Sequence, residues 1–154
     1  MKHGGGSILV WGYMSAAGVG ILHFIEGIMN HHVYIDILKC SLSSNAEKMG
    51  IKDNFIFMQN NDPKHTAYKR MWILHNTPTC LKTPLQSPDI NPIEHLWDYL
   101  ELQIRKHQIS SKEDLKNALM KEWNKIPSGI TTNLVNSMLR RIAAIIKSKG
   151  NPTK

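Results

Sequence analysis

Residues 55–66 read FIFMQNNDPKHT and residues 87–101 read SPDINPIEHLWDYLE. In the first stretch, Phe55-Ile56-Phe57-Met58-Gln59 is a short continuous apolar run that closes at Asn60-Asn61-Asp62-Pro63. That is the pattern of a central strand ending in a polar turn. In the second stretch, Asn91 suits a helix N-cap, Pro92 the first helical position and Glu94 the third, from which a carboxylate can bond back to the cap. Ile93, Leu96, Trp97, Leu100 and Ile104 then form one apolar stripe at helical spacing. Each stretch therefore sets a polar, metal-competent side chain at the end of an apolar element. Phosphoryl-transfer sites are built this way: carboxylates at strand ends and helix starts hold Mg²⁺ or Mn²⁺, which activates a water and stabilises the leaving oxygen.

Upstream, Ile8–Met14 is an apolar, β-branched and aromatic run, Ala16–Gly20 supplies a turn, and Ile21–Gly27 reads as a second strand paired to the first as a hairpin. Val33, Ile37, Leu38 and Leu42 recur at helical spacing, so residues 31 to about 49 are expected to form a helix ending near Gly50. Between the two motifs, Thr66 to about Asn76 is helical by composition, Cys80-Leu81-Lys82 is a minimal strand, and Pro84 to Pro92 is a proline-stiffened loop. Downstream, a capping box of Ser110 with Glu113 is expected to open a helix bearing Leu115, Leu119, Trp123 and Ile126. A last helix presents Leu134, Val135, Met138, Ile142, Ile145 and Ile146 on one face and stops at Gly150. Strands followed by helix, strand, helix, strand and a helical tail describe an α/β sheet domain.

The 154 residues, 42% of them hydrophobic, suffice for one compact domain or most of one. Charge is unevenly spread over the net +7. Residues 1–100 balance, with eight Lys/Arg and eight acids, whereas the last third carries eleven Lys/Arg against four acids. A basic segment joined to a neutral one suggests contact with a polyanion such as nucleic acid, or a solvated helical surface kept soluble by lysine. Cys40 and Cys80 form neither a CxxC pair nor a disulfide-dense pattern, so they read as structural thiols in a reducing, intracellular setting. No apolar run reaches the roughly 18 residues that span a bilayer, so no membrane partner is expected. Gly18 and Gly20 resemble a dinucleotide fingerprint, but the third glycine falls at His23. The histidines, among them His31, His32, His65 and His75, lack zinc-ligand spacing.

The two motifs resemble the signature of the Tc/mariner superfamily of transposases, and the Tc branch in particular. In that family a strand ends in QDN-x-P-x-H, and an SPDLNPIEHLW-type motif follows. The likeness extends through GGGSILVWGYMSAAGVGILHFIEG on one side and WNKIP with KSKGNPTK on the other. It implies an RNase H-like α/β fold, a mixed sheet flanked by helices, with a catalytic triad of two aspartates and one glutamate. The family's activity is metal-dependent cleavage and joining of duplex DNA at transposon ends, with Mg²⁺ or Mn²⁺ as cofactor and a nuclear location.

Carried onto this chain, the third acid matches Glu94 and the second falls on Asn60, where the family has aspartate. The first acid lies, in the family, on a strand upstream of the GGGS segment at which this chain starts. The resemblance thus implies a truncated domain without its first strand: a catalytic core over 1–109 and a basic helical extension over 110–154 packed on it. Asn60 and Glu94 are separated by 33 residues, one fewer than is typical of the Tc branch. An amide at Asn60 offers one neutral oxygen but no charge to hold a divalent ion. At an effective dielectric of about 20 and a separation of about 4 Å, one unit charge is worth roughly 4 kcal/mol. That corresponds to about a thousandfold in metal affinity or rate. The chain is accordingly expected not to cut DNA and to bind metal weakly or not at all.

Alternatives stay open at this level. Asp62 could substitute as a metal ligand, restoring a nuclease, although Pro63 interrupts strand geometry. The scaffold could serve as a non-catalytic DNA- or protein-binding module. Lys64, His65, Arg140 and Arg141 are candidate DNA contacts, with a solvated turn explaining the first two nearly as well. A missing interior strand would expose backbone groups and favour homo-oligomers.

Overall fold

The hairpin expected between Ile8 and Gly27 is present in the computed structural model, which describes residues 7–59, 67–81 and 90–148. It is broken into two ladders. Strand β1 (Leu9–Trp11) pairs antiparallel with β4 (His23–Ile25) in the register Leu9–Ile25, Val10–Phe24 and Trp11–His23. Past Gly12 the chain re-pairs as β2 (Met14–Ser15) with β3 (Gly18–Val19) across the Ala16-Ala17 turn. The helices are α1 (His31–Lys48), α2 (Ala67–Asn76), α3 (Pro92–Ile104), α4 (Lys112–Asn124) and α5 (Ser128–Lys147). Two further strands, β5 (Ile56–Phe57) and β6 (Thr79–Cys80), pair in parallel.

Contacts divide the chain into two units: residues 1–27 with 92–154, and residues 28–91. In the first unit, the hairpin and α3 to α5 share a core of Leu22, Leu96, Leu100, Trp123 and Ile126. Leu96, Leu100 and their half-buried neighbours Ile93, Trp97 and Ile104 are the stripe read from the second motif. Trp97 and Trp123 stack with centroids 5.2 Å apart, and Trp123 is fully buried. Gly12 makes room for this pair, since a Cβ there would lie 2.9 Å from Trp123 Cη2 and 3.1 Å from Trp97 Cη2. Gly20 is equally constrained, because a Cβ would fall 2.0 Å from the Tyr13 ring. Close packing, rather than phosphate binding, explains that glycine.

Two expectations are corrected in this unit, the cap of α4 and the continuity of the first strand. The cap of α4 is Ser111, not Ser110, and its partner is Asp114, not Glu113. Ser111 Oγ accepts from the Asp114 amide at 3.0 Å, and Asp114 Oδ2 accepts from the Ser111 amide at 3.0 Å and from Ser110 Oγ at 2.6 Å. The short Asp side chain can take both serines at once, which selects the later of two overlapping Ser-x-x-acid frames. The first strand is interrupted at Gly12-Tyr13 rather than continuous. The apolar face of α5 is only partly covered: Thr131 is buried and Leu134 packs on the core, but Ile146 is 72% exposed. A helix of 20 residues is about 30 Å long, and this one packs against α3 and the short β2–β3 ladder.

In the second unit, α1 buries Ile35, Leu38, Leu42 and Ala46. The helix is therefore rotated from the expected stripe, with Val33 and Ile37 only half-buried. Asn30 caps it, its Oδ1 accepting from the Val33 amide at 3.0 Å. Within the expected strand 55–59, the ladder covers Ile56–Phe57, and the Leu81 amide extends it by donating to Phe57 O at 2.8 Å. Phe57 is buried while Ile56 is 63% exposed, so among the described residues one face of this strand is open. β6 starts one residue earlier than expected.

Candidate functional site

Glu94 lies in the first turn of α3, which begins at Pro92 directly after Asn91, as the motif predicts. The core anchors this helix through Leu96 and Leu100. Glu94 is half-buried, and the partial positive charge of a helix N-terminus favours a carboxylate there. Asn91 itself is buried. The other members of the expected centre, Asn60 and Asp62, lie outside the described residues, as do Lys64 and His65 and the loop 82–89. No group of three or more His, Cys, Asp or Glu side chains comes together among the described residues.

The structure describes the residue just before Asn60. Gln59 Oε1 accepts a hydrogen bond of 3.0 Å from the Tyr34 hydroxyl on α1. Burial pushes the Tyr34 phenol far above its ordinary range, with the nearby Cys80 thiol adding to the effect. Nothing in the motif points to Tyr34, which lies 25 residues upstream of its partner. The only local signal is that a glutamine at the end of an apolar strand needs a donor for its carbonyl. A cleft of about 320 Å³ in the same unit is lined by Leu42, Phe55, His75 and Pro78 among others, with Lys52 and Asp53 at its wall. It contains none of the expected site residues.

The basic last third is not uniformly available to a polyanion. Arg105 pairs with Glu101 at 2.6 Å, and Lys125 with Glu122 at 3.2 Å. Lys116 Nζ sits 5.8 Å from the centre of the Phe24 ring. Arg140 and Arg141, adjacent in sequence, point in different directions because successive helical residues are about 100° apart. Arg140 is exposed, whereas Arg141 is half-buried with Nη1 enclosed and unpartnered among the described residues. Both cysteines carry free thiols. Among the described residues, no helix is long and apolar enough to cross a membrane.

Comparison with known proteins bears on both motifs. The family described as DDE superfamily endonuclease matches residues 2–116. The Tc1 transposase of Caenorhabditis elegans is 38% identical over 155 residues, covering 100% of this chain and 56% of that protein. The Tcb1 transposase of Caenorhabditis briggsae is 39% identical with the same coverage. The Caenorhabditis elegans Tc3 transposase is 32% identical, covering 97% of this chain and 46% of the relative. The chain thus spans about half the length of the curated relatives it matches. Among solved structures, the catalytic domain of Mos1 mariner transposase superimposes with a TM-score of 0.81 at 19% identity, covering 96% of this chain and 76% of that one. The same domain with Raltegravir and Mn gives a TM-score of 0.83 at 18% identity, covering 96% and 78%. At such identity the likeness establishes the fold: a mixed, RNase H-like arrangement of helices and sheet.

Proposed function

The chain belongs to the DDE superfamily endonucleases, and we propose on that footing that it is a Tc-type transposase catalytic domain that keeps DNA affinity and has lost strand cleavage. The observation that carries this reading is the pairing of motifs around Asn60 and Glu94, in which one carboxylate has become an amide. A DDE centre needs several negative oxygens to hold cations against each other and against a phosphate. Glu94 supplies one carboxylate and Asn60 a neutral carbonyl. A neutral oxygen at the second-acid position does not supply the charge that a two-cation centre needs there.

DNA affinity rests on a different feature, the eleven Lys/Arg against four acids beyond residue 100. Structurally similar assemblies, such as a pre-cleavage Mos1 transpososome, support DNA as the class of partner. Lys112, Lys121 and Arg140 are exposed and supply counterion-releasing contacts of the kind that make binding salt-dependent. Arg140 contributes more than the half-buried Arg141. The same reading assigns the protein to the nucleus, where the DNA of such an element lies.

The test is single-turnover cleavage of a labelled duplex with Mn²⁺, using the chain and its Glu94→Gln variant. Equal, background-level product from both is expected. Cleavage that disappears in Glu94→Gln would overturn the loss of activity. In parallel, duplex affinity should fall steeply with salt and weaken on Arg140→Glu; a flat salt dependence would remove DNA as the partner.

A further inference from the structure

The C-terminal half of α5 projects an apolar stripe that the core does not cover. Leu139 is 80% exposed, Ile142 40% and Ile146 72%. Their spacing, i, i+3 and i+7, aligns them along one side of the helix, the pattern by which an amphipathic helix anchors in an apolar groove. Exposed Arg140 and Lys147 flank the stripe along one edge, about 80–100° around the helix from Leu139. The whole helix, SGITTNLVNSMLRRIAAIIK, carries no acid.

These features discriminate among occupants. A DNA backbone would meet Arg140 and Lys147 but has nothing to offer three aliphatic side chains, whose removal from water favours an apolar partner. A second copy of α5, packed antiparallel on the first, would set the Arg140/Lys147 edge against itself, and like charges at that distance repel. A protein groove with an apolar floor and an acidic rim satisfies both the stripe and the edge. We propose that residues 139–147 form a docking helix for such an acidic protein surface; its apolar stripe is distinct from the DNA contacts, and Arg140 at its edge serves both.

The experiment uses the full 154-residue chain and a synthetic, fluorescein-labelled amphipathic peptide with leucines at i, i+3 and i+7 flanked by glutamates. A matched peptide with lysine flanks is the control. Anisotropy titration should show the glutamate peptide binding at least tenfold more tightly than the lysine peptide. Leu139→Gln with Ile146→Gln should weaken peptide binding at least tenfold, leave the melting curve unchanged and leave duplex-DNA affinity within twofold. Arg140→Glu with Lys147→Glu, which leaves the apolar stripe intact, should reverse the preference between peptides. The proposal is overturned by equal binding of the two peptides, by no binding of either, or by indifference to the Leu139/Ile146 change. It is equally overturned if that change abolishes DNA binding, which would make the face a DNA contact. Sedimentation showing a dimer that the change dissociates would assign the face to a second copy.

Discussion

The indole Nε1 of Trp123 donates a 2.7 Å hydrogen bond to the carbonyl of Gly20, joining α4 to the hairpin across 103 residues of sequence. This bond, the Trp97–Trp123 stack and the bonds from Thr131 Oγ1 and Thr132 Oγ1 to Ala16 O at 3.3 and 2.8 Å tie the helical tail to the start of the chain. A buried polar group without a partner costs about 1–3 kcal/mol. Replacing Trp123 by Phe keeps a ring in the core but strands the Gly20 carbonyl. Trp123→Phe should therefore lower stability by roughly 2 kcal/mol in urea titration, and a change below experimental error would contradict the role given to this bond.

Gly12 offers a sharper steric case. A methyl group there would lie 2.9–3.1 Å from the two stacked indoles, inside van der Waals contact, and overpacked cores typically lose about 1–3 kcal/mol. Gly12→Ala should lower the melting temperature, whereas Gly129→Ala, whose Cβ would meet nothing within 4 Å, should not. Equal melting temperatures for the two variants would disprove the packing account.

The cap of α4 distinguishes two neighbouring serines. Ser111→Ala removes the oxygen that accepts from the Asp114 amide and should cost about 1 kcal/mol. Ser110→Ala removes only an exposed bond to Asp114 Oδ2 and should cost less. Chemical denaturation of both variants decides the matter; the reverse order would place the cap at Ser110.

Acid titration probes Glu122. His107 Nε2 donates to Glu122 Oε1 at 3.0 Å and Lys125 Nζ at 3.2 Å, and these bonds hold the Glu122 carboxyl below its ordinary range. A depressed folded-state value means the contribution is fully present above the unfolded glutamate value, about 4.3, and is lost as pH falls through the folded one. Asp114 behaves alike, its carboxyl lowered by the Ser110 and Ser111 bonds. The stability gap between the chain and Glu122→Gln should thus be larger at neutral pH than in acid. A gap that widens on acidification would show the sign to be wrong.

Element order was legible because each signal is local. The SPDINPIEHLW stretch names its own helix start, and the Leu96/Leu100 stripe needs only a 3.6-residue period to be seen. Helix α1 was legible in extent but not in rotation. Its apolar residues cover enough of the circumference that either Ile35 or Ile37 could face inward, and burial of Ile35 emerges only from what the helix packs on. The frame of the α4 cap was undetermined for a similar reason, since Ser110-x-x-Glu113 and Ser111-x-x-Asp114 satisfy the same rule. As for the site, Glu94 was placed correctly at a helix start, while Tyr34, which holds Gln59, left no trace in the motif.

Chemistry written into side-chain identity needs no fold to be read: the amide at Asn60, the carboxylate at Glu94, the charge excess beyond residue 100 and the family to which these patterns belong. Proximity is another matter. That Gly20 meets both Trp123 and the Tyr13 ring, that Arg140 faces solvent while Arg141 turns inward, and that α5 outreaches its core are consequences of close packing among residues distant in sequence. Periodicity assigns a residue to a face of its own helix; what that face meets depends on the shape of its neighbours.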